Sequence, residues 1–150
     1  MTPRDAGGVG RRTPDHVETI RVRFSDSDSM GVAHHSNYFR WLEEARLGFL
    51  RDGGWPYSEI EKRGIHMPVV ECSCTFVAAV RSQDLIEVHL RVSAVTRARI
   101  GFEYEISKID SGTLRASAAT EHAYVDDDGR PTRLDAGSDL WLWLSERTAR

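Results

Sequence analysis

Cysteine and metal-ligand clusters are scarce in this chain of 150 residues. Its two cysteines, Cys72 and Cys74, are two positions apart on a predicted strand, so their side chains point the same way and are poorly placed to bond each other. Two free thiols are typical of a reducing compartment, and we expect a cytoplasmic protein. No other cysteine, and no histidine at ligand spacing from this pair, is present, so no zinc site is predicted.

Long apolar runs and an excess of charge are also missing. No apolar run approaches the ~20 residues that a membrane-spanning helix requires. Residues 1–14 are polar, basic and glycine-rich, without the apolar stretch of a signal peptide, and we expect residues 1–16 to form a disordered tail. The net charge of −3 gives no electrostatic case for nucleic-acid binding. We therefore expect neither a membrane nor a nucleic acid as a partner.

The rest of the chain, residues 17–150, is long enough for a single domain with one substantial core. Residues 36–51 repeat apolar side chains at helical spacing and predict a long helix, with Ser36 or Asn37 as its cap. Short helical segments are expected over residues 55–63 and 138–147. Alternating apolar and polar side chains predict five strands, at residues 18–24, 69–76, 86–94, 100–107 and 114–125.

This order of elements predicts an α+β fold. Strands with one apolar face and turn signals between them are typical of an antiparallel sheet. Only the long helix is large enough to cover the apolar face of such a sheet. We therefore expect a five-stranded antiparallel sheet wrapped around one long central helix, with a second subunit covering apolar positions on the other face.

The most informative segment joins the first strand to the long helix. It reads Phe24-Ser-Asp-Ser-Asp-Ser-Met-Gly-Val-Ala-His-His-Ser-Asn-Tyr and places Asp26 and Asp28 just before a helix start. A helix start has unpaired N–H groups and a partial positive charge. A carboxylate beside such donors can attack a carbonyl carbon while the donors stabilise the developing oxyanion.

With its continuation Phe-Arg-Trp-Leu-Glu-Glu-Ala-Arg, this segment resembles the 4-hydroxybenzoyl-CoA thioesterase family of hotdog-fold proteins. The similarity covers roughly residues 17–131 and includes Arg63-Gly-Ile and Met67-Pro-Val-Val. It implies a hotdog domain that hydrolyses an acyl-CoA or aroyl-CoA thioester without a metal or other cofactor. It also implies a homodimer or homotetramer with the active site at the subunit interface.

The resemblance implies two catalytic residues. Asp28 matches the catalytic carboxylate of the family, as nucleophile or as general base. His35 lies at the helix start, where a backbone N–H group of the family polarises the thioester carbonyl and some members use a histidine side chain.

Substrate contacts are implied for four further residues. Tyr57, Met67 and Val69 match regions that contact the acyl group, and Arg97 lies where related enzymes bind the CoA phosphates. The residues on either side of Arg97 are threonine and alanine rather than a basic cluster, although Arg99 follows. A thioester on an acyl-carrier protein, with a polyketide or fatty acyl chain, is therefore the alternative substrate.

Several other interpretations stay open at this stage. Asp26 is expected to hydrogen-bond the turn backbone. Glu44 is a rival catalytic carboxylate, or else a structural partner to an arginine such as Arg46. Cys72 and Cys74 fit small core residues. A non-catalytic thioester-binding domain and a hydratase or dehydratase of acyl-CoA are the alternative functions.

Overall fold

The computed structural model describes residues 13–148, which contain five strands and three α-helices. The strands are β1 (His16–Arg21), β2 (Val69–Phe76), β3 (Leu85–Val95), β4 (Arg99–Lys108) and β5 (Leu114–Ala123). The helices are α1 (Ser36–Asp52), α2 (Tyr57–Lys62) and α3 (Asp139–Thr148). Each of the predicted segments is thus present. The predicted disordered tail lies outside the described residues except for its last four, of which His16 already belongs to β1.

The strands form one antiparallel sheet in the order β1-β3-β4-β5-β2, which confirms the predicted five-stranded arrangement. Both edge strands, β1 and β2, come from outside the β3-β4-β5 meander. Helix α1 is 17 residues long and contacts β1 and β3. No helix within residues 13–148 is long and apolar enough to cross a membrane.

The core lies between α1 and one face of the sheet. Alternation along β3 directs Val88, Leu90 and Val92 to that face, where all three are fully buried. Helix α1 supplies Trp41 and Leu42, which are also fully buried. Each such side chain contributes about 1.5–3 kcal/mol by leaving water, so this layer fixes α1 on the sheet.

Two local predictions were wrong, both for reasons of tertiary context. The first strand ends at Arg21 rather than residue 24, because the chain turns into a short 3-10 segment, and Phe24 is 80% exposed. Cys72 is exposed rather than part of the core, because β2 is an edge strand, while Cys74 is half-buried.

The last helix is fixed by aromatic packing at the end of α1. Trp143 of α3 stacks on Phe49 of α1 with ring centroids 5.0 Å apart. A Cβ atom placed on Gly53, the residue that ends α1, would overlap the Trp143 ring. The absence of a side chain at Gly53 therefore leaves room for the Trp143 ring.

We expect Gly53→Ala to lower the free energy of unfolding by about 1–3 kcal/mol, because the packed Trp143 ring must move away. Urea denaturation followed by tryptophan fluorescence measures this change. Gly137→Ala is the matched control, since a Cβ atom there meets nothing within 4 Å. Equal stability of the two variants would contradict the proposed docking constraint.

Candidate functional site

The segment between β1 and α1 is a narrow loop that turns back on itself. Ser27 pairs with Ala33, and Asp28 N donates to the oxygen of Val32 at 2.8 Å. Gly31 closes the turn with φ of +75°, a conformation that favours glycine. Ala33 N also donates to the oxygen of Val80 at 2.7 Å, so the loop is held against the segment before β3. The backbone that carries Asp28 is therefore well fixed.

Asp28 itself is exposed and held by one of its two carboxylate oxygens. Oδ1 accepts hydrogen bonds from Met30 N at 2.8 Å and from Val32 N at 3.2 Å. The described residues give no hydrogen-bond partner to Oδ2. Asp28 thus presents an oriented carboxylate with one oxygen open to a ligand.

Asp26 is the opposite case, because it is 4% exposed and both of its carboxylate oxygens are occupied. Oδ1 accepts Nη2 of Arg40 at 2.7 Å, and Oδ2 accepts Arg23 N at 2.9 Å, which is the turn bond that the sequence predicts. Its backbone oxygen accepts His34 N at 2.9 Å and Nδ2 of Asn37 at 2.7 Å. Asp26 therefore joins the loop to the start of α1.

The start of α1 uses nearly all of its backbone donors. The predicted cap by the Ser36 or Asn37 side chain is wrong, because the N-cap residue is His35 and its side chain makes no capping bond. Ser36 N instead donates to Nδ1 of His34 at 3.2 Å. Asn37 N and Tyr38 N donate to the oxygens of His34 and His35, each at 3.1 Å. Within residues 13–148, His35 N has no hydrogen-bond partner. One amide at the positive end of the helix is thus open.

A hollow of about 320 Å³ lies beside His35. Tyr38 of α1 and Phe76 at the end of β2 form one wall, with ring centroids 4.8 Å apart. The His35 ring is exposed and lies 4.1 Å from the ring of His34. Asp28 is on the same loop as His35 but does not line this hollow.

The four predicted substrate-binding residues lie in three places. Tyr57 Oη accepts Met67 N at 3.1 Å, and both residues line a second cavity, next to the middle of α1. Val69 begins the edge strand β2 and is exposed. Arg97 lies in the turn between β3 and β4, where its Nε donates to the oxygen of Leu134 at 2.7 Å. The structure thus brings Tyr57 and Met67 together and leaves Arg97 apart from them.

The second cavity contains polar residues that the sequence analysis did not single out. His122 is 2% exposed, and burial lowers its pKa to about 4, so the ring is neutral at neutral pH. It contacts the oxygen of Met67 at 3.0 Å and Oγ1 of Thr120 at 2.9 Å. Thr120 Oγ1 lies 2.6 Å from Tyr104 Oη, which accepts Nη1 of Arg46 at 3.2 Å.

A sequence signal for this network exists in the alternation of β5. Thr120 and His122 follow Ala116 at even spacing, so they lie on the same buried face of β5. Two polar side chains therefore face the core, where the alternation predicts apolar ones. Glu44 pairs with an arginine, as the structural alternative for this residue expects, and the partner is Arg40 at 3.1 Å rather than Arg46. In residues 13–148 no cluster of three or more His, Cys, Asp or Glu side chains could hold a metal ion.

The five-stranded antiparallel sheet with helix α1 packed on one face is the architecture of a hotdog-like fold. The sequence profile of the thioesterase-like superfamily matches residues 22–144, and the chain belongs to that superfamily. The prediction of a thioester hydrolase is confirmed at this level.

Individual relatives agree in fold and differ in their named substrates. The chain is 36% identical to a hypothetical protein of Thermus thermophilus, with a TM-score of 0.81 over 88% of this chain and 98% of that one. It is 29% identical to a DHNA-CoA thioesterase of Staphylococcus aureus, with a TM-score of 0.82 over 89% of this chain and 90% of that one. It is also 28% identical to an acyl-acyl carrier protein thioesterase, ATL3, of Arabidopsis thaliana, over 85% of this chain and 67% of the relative.

We expect Asp26→Ala to lower the free energy of unfolding by about 2–4 kcal/mol, because Arg40 and the loop amides lose their buried acceptor. Chemical denaturation measures the change. Asp110→Ala, in an exposed turn, is the control and should stay within about 0.5 kcal/mol of the parent protein. A similar small effect of both substitutions would show that Asp26 does not hold the loop.

Proposed function

We propose that this protein hydrolyses an acyl-CoA or aroyl-CoA thioester to the free acid and CoA, as its resemblance to the 4-hydroxybenzoyl-CoA thioesterase family implies. The loop between β1 and α1 carries the proposal, because Asp28 Oδ2 and His35 N are both open there in the described part of the chain. The name of the Staphylococcus aureus relative, a CoA thioesterase, supports the CoA thioester as substrate.

The His35 amide is the proposed oxyanion donor. The carbonyl oxygen of the thioester would accept this N–H group in the hollow between α1 and the end of β2. Negative charge develops on that oxygen as the carbonyl is attacked, and the positive end of α1 stabilises it further. One such donor is typically worth about 10²–10³ in rate.

Asp28 is the proposed catalytic carboxylate, by either of two routes. In the first, Oδ2 attacks the carbonyl carbon, the C–S bond breaks, CoA leaves as a thiolate, and water hydrolyses the resulting mixed anhydride. In the second, Oδ2 accepts a proton from a water molecule that attacks the carbonyl directly. Thiol release ahead of free acid in a single turnover would identify the anhydride route.

We expect Asp28→Asn to lower kcat by about 10²–10⁴-fold, because the amide neither attacks nor accepts a proton. The fold should persist, since the asparagine oxygen still accepts Met30 N and Val32 N. Thiol release from a panel of acyl-CoA thioesters measures the loss, with Asp110→Asn as the control of unchanged activity.

Near-full activity of Asp28→Asn would refute the assignment and turn attention to Glu44 on α1. Wild-type protein that binds thioesters and releases no thiol would instead be a non-catalytic binding domain. A change in the enoyl-thioester absorbance without thiol release would indicate a hydratase or dehydratase.

An acyl-carrier-protein thioester is the second candidate substrate. Arg97 Nε already donates to Leu134, and Arg99 pairs with Glu121 at 3.1 Å, so both basic residues near the β3–β4 turn are engaged. This limits their use for CoA phosphates. The Arabidopsis relative is named for a carrier-protein substrate. The ratio of kcat/KM for one acyl group on CoA and on a carrier protein decides between the two.

The edge strand β2 supports self-association, as a homodimer or a homotetramer. Among the described strands, β2 is an edge of eight residues, and the N–H and C=O groups on its outer side pair with no other strand. Val69, Val70, Phe76 and Val77 are all exposed along or beside it. A second copy that pairs with β2 would satisfy the backbone groups and bury these side chains.

We expect Val70→Lys to shift the protein from dimer or tetramer toward monomer, because the new charge would be buried in the β2 interface. Sedimentation velocity measures the mass. Leu142→Lys on α3 is the matched control, since both parent side chains are 48% exposed. Monomeric wild-type protein, or equal masses for both variants, would contradict pairing through β2.

The proposed location is the cytoplasm. Cys72 and Cys74 are both free thiols, which suits a reducing compartment. Fractionation of cells that express the tagged protein tests this assignment.

A further inference from the structure

The cavity beside the middle of α1 is separate from the hollow at His35. Its volume is about 370 Å³, within the range of small-molecule sites. Its walls come from α1, from α2, from the segment before β2, and from the inner face of β4 and β5. The residues that matter below are Glu43, Arg46, Tyr57, Met67 and His122.

The hydrogen-bond chain along one wall has a single consistent direction. The oxygen of Met67 can only accept, so Nδ1 of His122 donates to it. Because the ring is neutral, Nε2 carries no proton and accepts from Thr120 Oγ1. The Thr120 hydroxyl then accepts from Tyr104, and Tyr104 accepts from Arg46. Every donor of His122, Thr120 and Tyr104 is thus used inside the wall.

Two residues of the cavity still have donors to offer. Arg46 is half-buried and uses one N–H on Tyr104, and no carboxylate of residues 13–148 lies within 4.0 Å of its guanidinium. Glu43 lines the same cavity without an ion pair to Arg46. Tyr57 Oη accepts Met67 N, so its own O–H is open within the described part of the chain. A ligand that supplies an oxygen would satisfy both.

We propose that Arg46, assisted by Tyr57, is a specificity-determining residue that binds an oxygen atom at the far end of the acyl group. This inference rests on the proposed thioesterase function and adds the kind of acyl group that the site prefers. A guanidinium donates to a hydroxyl or a carboxylate oxygen, and more strongly to a carboxylate.

In the proposed dimer paired through β2, one acyl group would have its carbonyl at His35 of one copy and its far end in the Arg46 cavity of the other. Arg46 is eleven positions after His35, about 16 Å along the helix axis, which is far for one acyl group within one subunit. A two-fold axis that pairs β2 with its copy also makes the two α1 helices antiparallel. In such a pair the start of α1 in one copy would point in the same direction as the end of α1 in the other.

Matched pairs of substrates test the proposal on the full-length protein. 4-hydroxybenzoyl-CoA is compared with 4-methylbenzoyl-CoA for the hydroxyl, and glutaryl-CoA with valeryl-CoA for the carboxylate. Wild-type protein should favour the oxygen-bearing member of at least one pair. Arg46→Met should lower kcat/KM for that member by about 10- to 100-fold, as expected for a hydrogen bond from a charged donor, and leave its apolar partner nearly unchanged.

Three further variants separate binding from structure. Tyr57→Phe should reduce the same preference to a smaller extent, because a neutral donor is weaker. Arg46→Lys should restore part of it, since the charge is kept and the fork geometry is lost. Arg51→Met on the exposed end of α1 is the control and should behave as wild type. An equal effect of Arg46→Met on both members of each pair, or no effect, overturns the proposal.

A binding measurement separates failure of this inference from failure of the proposed function. Asp28→Asn protein should bind the intact thioesters with strongly slowed turnover, and calorimetry compares it with the double variant Asp28→Asn, Arg46→Met. Loss of the preference in the double variant supports the Arg46 contact even if the wild type proves to be non-catalytic. If the wild type hydrolyses the thioesters with no preference within either pair, only the Arg46 proposal is overturned. If the protein neither hydrolyses nor binds them, the Arg46 proposal and the proposed thioesterase function are both overturned.

Discussion

The buried carboxylate of Asp26 is the interaction on which the site depends. The carboxylate accepts hydrogen bonds from the Arg40 guanidinium of α1 and from Arg23 N in the turn. The backbone oxygen of the same residue accepts hydrogen bonds from His34 N and Asn37 Nδ2. Burying a charge is costly unless hydrogen bonds replace its water, and these contacts do so. The loop that carries the catalytic candidates is thereby held at one place relative to the start of α1.

The two carboxylates of the motif differ because their oxygens are differently occupied. Asp26 has both oxygens bonded and is removed from water, so it is suited to structure. Asp28, two residues later, has one oxygen fixed by two amides and the other open in the described part of the chain. Two positions apart on one short turn, the first carboxylate is thus buried and fully bonded, and the second keeps one oxygen available to a ligand.

Much of the fold was predictable from periodicity, because the buried face of each strand and of α1 repeats at a fixed interval. The errors fall where another part of the chain intervenes. Phe24 fits the strand alternation, but the Asp26 turn directs the chain away from the sheet. The predicted Ser36 or Asn37 cap is absent, and the first helical amide, Ser36 N, instead donates to the His34 ring of the folded loop.

By itself the sequence determined the order of the elements, the antiparallel sheet, the superfamily and the loop in which to seek catalysis, because these depend on local pattern and on one contiguous motif. Only the tertiary structure decided that His35 N is left open at the start of α1 in the described part of the chain, because the amides around it find partners in the folded loop. It also joined Arg46 to His122 through Tyr104 and Thr120, on three separate elements. No local pattern specifies a contact between residues so far apart in the chain, because the packing of α1 on the sheet creates it.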